Sequence, residues 1–173
     1  MPDPVIISPY QTAWVTRFEE LSSLLRRALE DQVVTIEHVG STAVPGLDAK
    51  PIVDLDIVIT ETADFVQIEN RLAGIGYRHL GDQGVPGRQA FAPAQADGLD
   101  PPDHHLYVCR ENATELRRHL RFRDSLRAHP DIAADYARLK RRLAAEFGDD
   151  REAYTEGKTR FIEDVLERFG ADR

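Results

Sequence analysis

The sequence predicts an α+β domain: a mixed β-sheet packed by helices, with a C-terminal helical segment. Three observations predict it. Short β-branched runs recur between Val33 and Cys109, with apolar residues at helical spacing before and between them. From Arg110 onward the pattern is helical to the end. The 173 residues suffice for one proper core and are too few for two, so 1–173 reads as a single domain.

The elements follow in order. Trp14, Phe18, Leu21, Leu25 and Leu29 recur at helical spacing. Ser8, Pro9 and Gln11 offer a cap, an N1 proline and a capping-box partner, so the first helix should start between Pro9 and Thr12 and run to Glu30. Val33–Val39 is β-branched and reads as a strand. Ser41–Pro51 is a turn-rich loop around Pro45-Gly46. Ile52–Ile59 is apolar apart from two aspartates, as a central strand is. Glu61–Ala73 should be a second helix, with Phe65, Ile68 and Leu72 facing inward and Gly74 or Gly76 ending it. Short strands are expected at Tyr77–Leu80, Arg88–Ala92 and His105–Cys109. Pro93–Pro102, rich in Gly, Pro, Asp and Ala, is a surface loop and a candidate lid. His129-Pro130 and Gly148-Asp149-Asp150 divide the remainder into three helices.

Composition narrows the function. A net charge of −8 argues against general nucleic-acid binding, which leaves a basic footprint. The charge is unevenly placed: residues 1–109 carry 7 basic and 16 acidic side chains, residues 110–173 carry 15 and 14. A cleft between the two parts would set carboxylates against cations. One cysteine, Cys109, precludes an intrachain disulfide, no leader is evident, and no apolar run approaches the ~20 residues that span a bilayer. A cytoplasmic protein without membrane partners is the expectation.

The chemistry is concentrated in two places. Asp54 and Asp56 alternate along one strand, so their carboxylates share a face. Two convergent carboxylates suit a hard cation such as Mg²⁺ (or Mn²⁺) when a phosphate supplies other ligands. Upstream, Gly40 lets backbone come close to a phosphate, while Ser41 and Thr42 add hydroxyls. Arg88 starts a strand after Pro-Gly and could clamp a phosphate with its planar fork. Lys50, held extended before Pro51, either meets a phosphate or is solvated. His105 is a candidate general base, with a structural hydrogen-bonded role as the alternative. Tyr154 and Lys158 lie four apart on one helical face, as cleft residues or as a surface pair.

Gly40-Ser41 followed by Asp54-x-Asp56 in an apolar strand resembles the fingerprint of the nucleotidyltransferase superfamily, with its polymerase-beta-like fold. The wider wording is similar to the GrpB family: Ile36 to Leu47, Lys50 to Asp54, Pro86-Gly87-Arg88, His105-Leu106, Phe122-Arg123-Asp124, Tyr136 with Leu139-Lys140, and Tyr154 with Lys158 and Phe161-Ile162. The resemblance implies a sheet of nucleotidyltransferase type and a site holding Mg²⁺ or Mn²⁺ on Asp54 and Asp56. It also implies a nucleotide or another phosphorylated small molecule as ligand. Similar domains occur fused to some dephospho-coenzyme A kinases. The expected activity is nucleotidyl transfer to a small acceptor. The alternatives are a non-catalytic module for a nucleotide or coenzyme A-type ligand, and a metal-dependent phosphate-ester hydrolase. One departure is expected to matter: nucleotidyltransferases usually show a third carboxylate, and His105–Cys109 offers none on the face of His105 and Tyr107.

Overall fold

Five strands form one sheet in the order β1-β2-β5-β4-β3 in the computed structural model, which describes residues 4–94 and 103–169. They are β1 (Thr35–Val39), β2 (Val53–Ile59), β3 (Tyr77–Gly81), β4 (Arg88–Pro93) and β5 (His104–Arg110). Only β2 and β5 run parallel; the other neighbours are antiparallel, so the sheet is mixed. The central position of β2 explains its apolar content, because a strand buried on both faces needs hydrophobic side chains in both directions.

Helices α1 (Ala13–Leu29) and α2 (Phe65–Gly74) cover one face. Their Trp14, Leu21, Leu25, Leu29, Ile68 and Leu72 close over Leu55, Ile57, Leu106 and Val108 of the central strands. Truncating one of these leucines to alanine should cost about 2–5 kcal/mol. Helices α3 (Thr114–Ala128), α4 (Pro130–Phe147) and α5 (Arg151–Phe169) form the C-terminal segment. Leu116 of α3 packs on Val58 and Cys109, on the sheet face opposite α1. Leu126, Tyr136 and Ala137 enclose Val44 and Leu47 of the loop after β1. Gly157 lets α5 approach α4 closely, since a Cβ there would lie 2.6 Å from Leu143 Cδ2.

Several boundaries differ from the sequence expectation. Helix α1 starts at Ala13 with no side-chain cap. Ser8 is diverted into backbone pairing with Ala49, at 2.8 and 3.0 Å, which ties the N-terminal segment to the loop before β2. Helix α2 starts at Phe65, not Glu61, because the Asp64 carboxylate accepts from the N–H groups of Val66 and Gln67 and fixes the first turn there. Strand β1 begins at Thr35, two residues late. Strand β5 gains a residue at each end. Of the candidate lid, Pro93 closes β4, and residues 95–102 lie outside the described residues.

Candidate functional site

Direct cross-strand partners share a sheet face, so register places the site. Asp54 is flanked by Val39 of β1 and His105 of β5, and Asp56 by Glu37 and Tyr107. Arg88 of β4 stands opposite Cys109 on the same face. The third carboxylate sought on β5 is absent there, yet the other neighbour of β2 supplies Glu37 beside Asp56. It is engaged: Arg123 of α3 donates to Glu37 Oε2 at 2.7 Å and to the His38 carbonyl at 3.1 Å. Arg127 donates to the Ala43 carbonyl at 2.7 Å. The basic face of α3 thus stitches the helix to β1 and the Gly-Ser turn.

Each aspartate holds an imidazole. His105 Nδ1 lies 2.9 Å from Asp54 Oδ1, and His119 Nδ1 of α3 lies 2.7 Å from Asp56 Oδ2. His119 Nε2 lies 3.2 Å from Glu115 Oε1. Burial alone would lower the pKa of His119, but the Asp56 hydrogen bond and the two carboxylates raise it. The shift favours the imidazolium, the form that can donate to both acids.

The remaining carboxylate oxygens fit a cation. Asp56 is 0% exposed, and its Oδ1 is buried without a hydrogen-bond partner among the described residues. An uncompensated buried carboxylate oxygen is costly, and a divalent cation would satisfy it. Asp54 Oδ2 leans over Gly40, where a Cβ would fall 2.2 Å away. Gly40 also has φ +71°, so the turn requires glycine for conformation and for space. Among the described residues no group of three His, Cys, Asp or Glu side chains is placed to hold a metal ion. Two carboxylates would therefore share the cation with ligand oxygens.

Lys158 of α5 and Lys50 of the loop before β2 act on Asp54, and Lys140 lies beside them. Lys140 of α4 is 2% exposed, and its Nζ donates to the Asp48 carbonyl while lying 4.7 Å from the Tyr136 ring centroid. Lys158 Nζ of α5 lies 4.5 Å over the Tyr154 ring, and Lys50 Nζ reaches the same ring at 5.6 Å. Burial, then Lys158 and Lys50, push Lys140 down to about 7. Burial, then Lys50, push Lys158 down to about 8, with Asp54 acting the other way. Lys50 is lowered by burial against the opposing pull of Asp54. Lys50 and Lys158 thus lie by Asp54, with Lys140 beside both lysines, and no salt bridge within 4 Å pairs any of the three with a carboxylate among the described residues.

The structure gathers Gly40, His105, Lys50 and Lys158 around Asp54, with Tyr154 under the two lysines and Ser41 at Tyr136. Ser41 reaches the buried Tyr136 hydroxyl. Tyr154 is 1% exposed and offers the lysines its ring, so the pair does not lie on the surface. Thr42 is turned inward: it is 1% exposed and its hydroxyl lies 2.9 Å from His38 Nε2. Burial, then the nearby arginines against Asp54, leave His38 with a pKa of about 4, so it is a neutral brace for this turn. Arg88 stands apart from the lysines, stacked over Tyr107 at 4.2 Å. Cys109 is buried, its thiol pushed up to about 12 by burial and Asp56. Sequence reasoning gave no role to His119, Glu37 or Lys140. For Lys140 a signal exists: Tyr136-x-x-x-Lys140 repeats the spacing of Tyr154-x-x-x-Lys158. His119 follows Glu115 by four residues, but nothing in that spacing points to Asp56.

Fold and site together define an α+β protein whose central strand carries two carboxylates, Asp54 beside two lysines and Asp56 held by His119 of the C-terminal helical segment. The chain belongs to the GrpB family: the description "GrpB protein" matches residues 4–168. A crystal structure of the conserved protein GrpB from Enterococcus faecalis superposes with a TM-score of 0.83 at 35% identity, covering 94% of this chain and 96% of that one. The UPF0157 protein YqkA of Bacillus subtilis is 34% identical over 158 residues, 91% of this chain and 45% of that protein. A dephospho-CoA kinase of Mycolicibacterium paratuberculosis is 26% identical over 190 residues, 95% of this chain and 46% of that protein. The chain thus spans about half the length of these last two relatives. No helix among the described residues is long and apolar enough to cross a membrane.

Proposed function

We propose that this domain binds the phosphate chain of a nucleoside triphosphate with Mg²⁺ or Mn²⁺ and transfers a nucleotidyl group to a small acceptor. The observation that carries this reading is the approach of Lys50 and Lys158 to Asp54 over the Tyr154 ring, with Lys140 beside both lysines. Mutually repelling, half-desolvated ammoniums destabilise the free protein, and a polyanion removes that cost. Asp54 and Asp56 would hold the metal, which supplies charge neutralisation to the phosphate oxygens. The Gly40-Ser41 turn brings backbone N–H groups and a hydroxyl to the phosphates.

His105 is the base in this reading. If Nδ1–H donates to Asp54, Nε2 is free to take the proton of an acceptor hydroxyl. Asp54 then fixes both the tautomer and the ring orientation, as an acid behind a catalytic imidazole does. The side chain is 39% exposed, so an acceptor can reach it.

Retention of a nucleotide or coenzyme A-type ligand without transfer is the second reading. The engagement of Glu37 by Arg123 favours it, because Glu37 is not free to hold a second metal ion. Metal-dependent release of pyrophosphate from a nucleoside triphosphate, in the presence of a panel of hydroxyl acceptors, tests the two. Release in the parent and its loss in Asp54→Asn supports transfer. Saturable binding with no release leaves the module.

A further inference from the structure

The site has two cationic ends, and only one belongs to the lysines. Register fixes their separation. Lys50 and Lys158 act on Asp54, whereas Arg88 stands across from Cys109, which pairs with Val58, two steps beyond Asp56 along β2. Four residues of strand, roughly 13 Å at ~3.3 Å per residue, separate the backbone of Asp54 from the row of Arg88, and the guanidinium reaches back over Tyr107, in the Asp56 row. Arg88 is not among the groups that act on Lys50, Lys140 or Lys158, so it forms a second cationic position of the site.

Arg88 is built for a ligand of its own. Its guanidinium lies over the Tyr107 ring at 4.2 Å from the centroid, which braces the fork. Its Nε is buried and has no hydrogen-bond partner among the described residues. The carboxylates of that neighbourhood do not answer it. Glu115 and the Oδ2 of Asp56 are engaged with His119, the Oδ1 of Asp56 is not hydrogen-bonded to Arg88, and both charges, with that of Arg88, are felt at the same imidazole. A buried, oriented guanidinium N–H without an acceptor costs free energy unless an acceptor arrives.

We propose that Arg88, braced by Tyr107, is an acceptor subsite: it takes an oxyanion, carboxylate or phosphate, carried by the second substrate. This rests on the nucleotidyltransferase reading for what the second substrate is, but not for the anion site itself. The acceptor then spans from Arg88 to His105, with its hydroxyl at the imidazole and its anionic group at the guanidinium. Specificity for acidic acceptors follows, because a neutral analogue leaves the Arg88 Nε–H unpaired.

The test follows the Arg88 Nε–H resonance by NMR while tripolyphosphate, then acetate or inorganic phosphate, is titrated into the intact chain. Tripolyphosphate should saturate without moving that resonance. Acetate or phosphate should then move it saturably, and whichever binds more tightly names the acceptor chemistry. Arg88→Gln should weaken the second anion by about tenfold or more and leave tripolyphosphate within about threefold, as expected for separate sites. Arg88→Lys, which keeps the charge and loses the planar fork, should behave like Arg88→Gln. The inference is overturned if tripolyphosphate itself shifts the resonance and blocks the second anion, if neither probe moves it, or if Arg88→Lys loses both anions together. Failure of tripolyphosphate to bind, with acetate or phosphate still acting at Arg88, would sink the lysine reading and leave the Arg88 site standing.

Discussion

Lys158 of α5 lowers the pKa of Lys140 of α4, and no carboxylate is paired with either among the described residues. Two ammoniums from different helices are held in mutual repulsion, each above a tyrosine of its own helix. Packing enforces this: Leu143 and Tyr154 share one buried cluster, so α4 and α5 cannot part without exposing it.

The pH dependence of stability follows. The folded pKa of Lys140 is about 7 and that of Lys158 about 8, below the ordinary lysine range. Between those values and the unfolded lysine pKa the unfolded chain holds more protons, so stability rises with pH. Below about pH 7 both states are protonated and the penalty is fully present. Denaturant midpoints of the ligand-free protein should climb as pH rises from 7 towards 10, and Lys140→Met should flatten the lower part of that climb. A parent whose midpoint is level across this range would contradict the assignment.

Asp54→Asn and Asp56→Asn should each abolish the extra stabilisation that Mg²⁺ adds to a nucleoside triphosphate in a thermal melt. A ligand at 100 times its dissociation constant contributes about 2.7 kcal/mol, so the loss is readily read. Asp56→Asn should also lower the pKa of His119, since its hydrogen bond and charge are what raise it. Retained metal dependence in both variants would move the metal elsewhere.

Gly40→Ala should be costly out of proportion to its size. The added Cβ meets Asp54 Oδ2 at 2.2 Å in a backbone with φ +71°. Strain of about 1–2 kcal/mol is expected from conformation alone. The carboxylate must also turn away, so metal dependence should fall with stability. An alanine variant with normal metal dependence would show that Asp54 Oδ2 is not a ligand.

His105→Ala should lower turnover by about 10²–10⁴ with nucleotide affinity nearly unchanged if the imidazole is the base. Asp54 keeps its other oxygen near Gly40 in that variant. A loss of affinity at unchanged turnover would make His105 a phosphate contact.

The strands were legible because each local signal agreed with the sheet. Asp54 and Asp56 stood out as polar residues in an apolar strand, and their common face followed from period two. The start of α1 was not legible, because Ser8 is claimed by backbone pairing with Ala49, forty-one residues away. His119 and Lys140 were hidden for a related reason. A helix sequence gives its own faces, but which of them meets β2 is decided by α3–α5 packing on Val44, Leu47 and Cys109. Arg88 was legible as the first residue of a strand; its place opposite Cys109, on the face of Asp56, was a matter of register. Glu37 was overlooked because the third acid was sought on β5, while β2 has a second neighbour in β1.

The most direct measurement is a calorimetric titration of a non-hydrolysable nucleoside triphosphate with Mg²⁺ at pH 8, in two buffers of different ionisation enthalpy. The account predicts saturable binding with net proton uptake, because the phosphate chain raises the depressed pKa values of Lys140 and Lys158. Both binding and uptake should fall in Lys158→Met. Binding with no proton uptake, undiminished in Lys158→Met, or no binding of any nucleoside triphosphate at all, would contradict it.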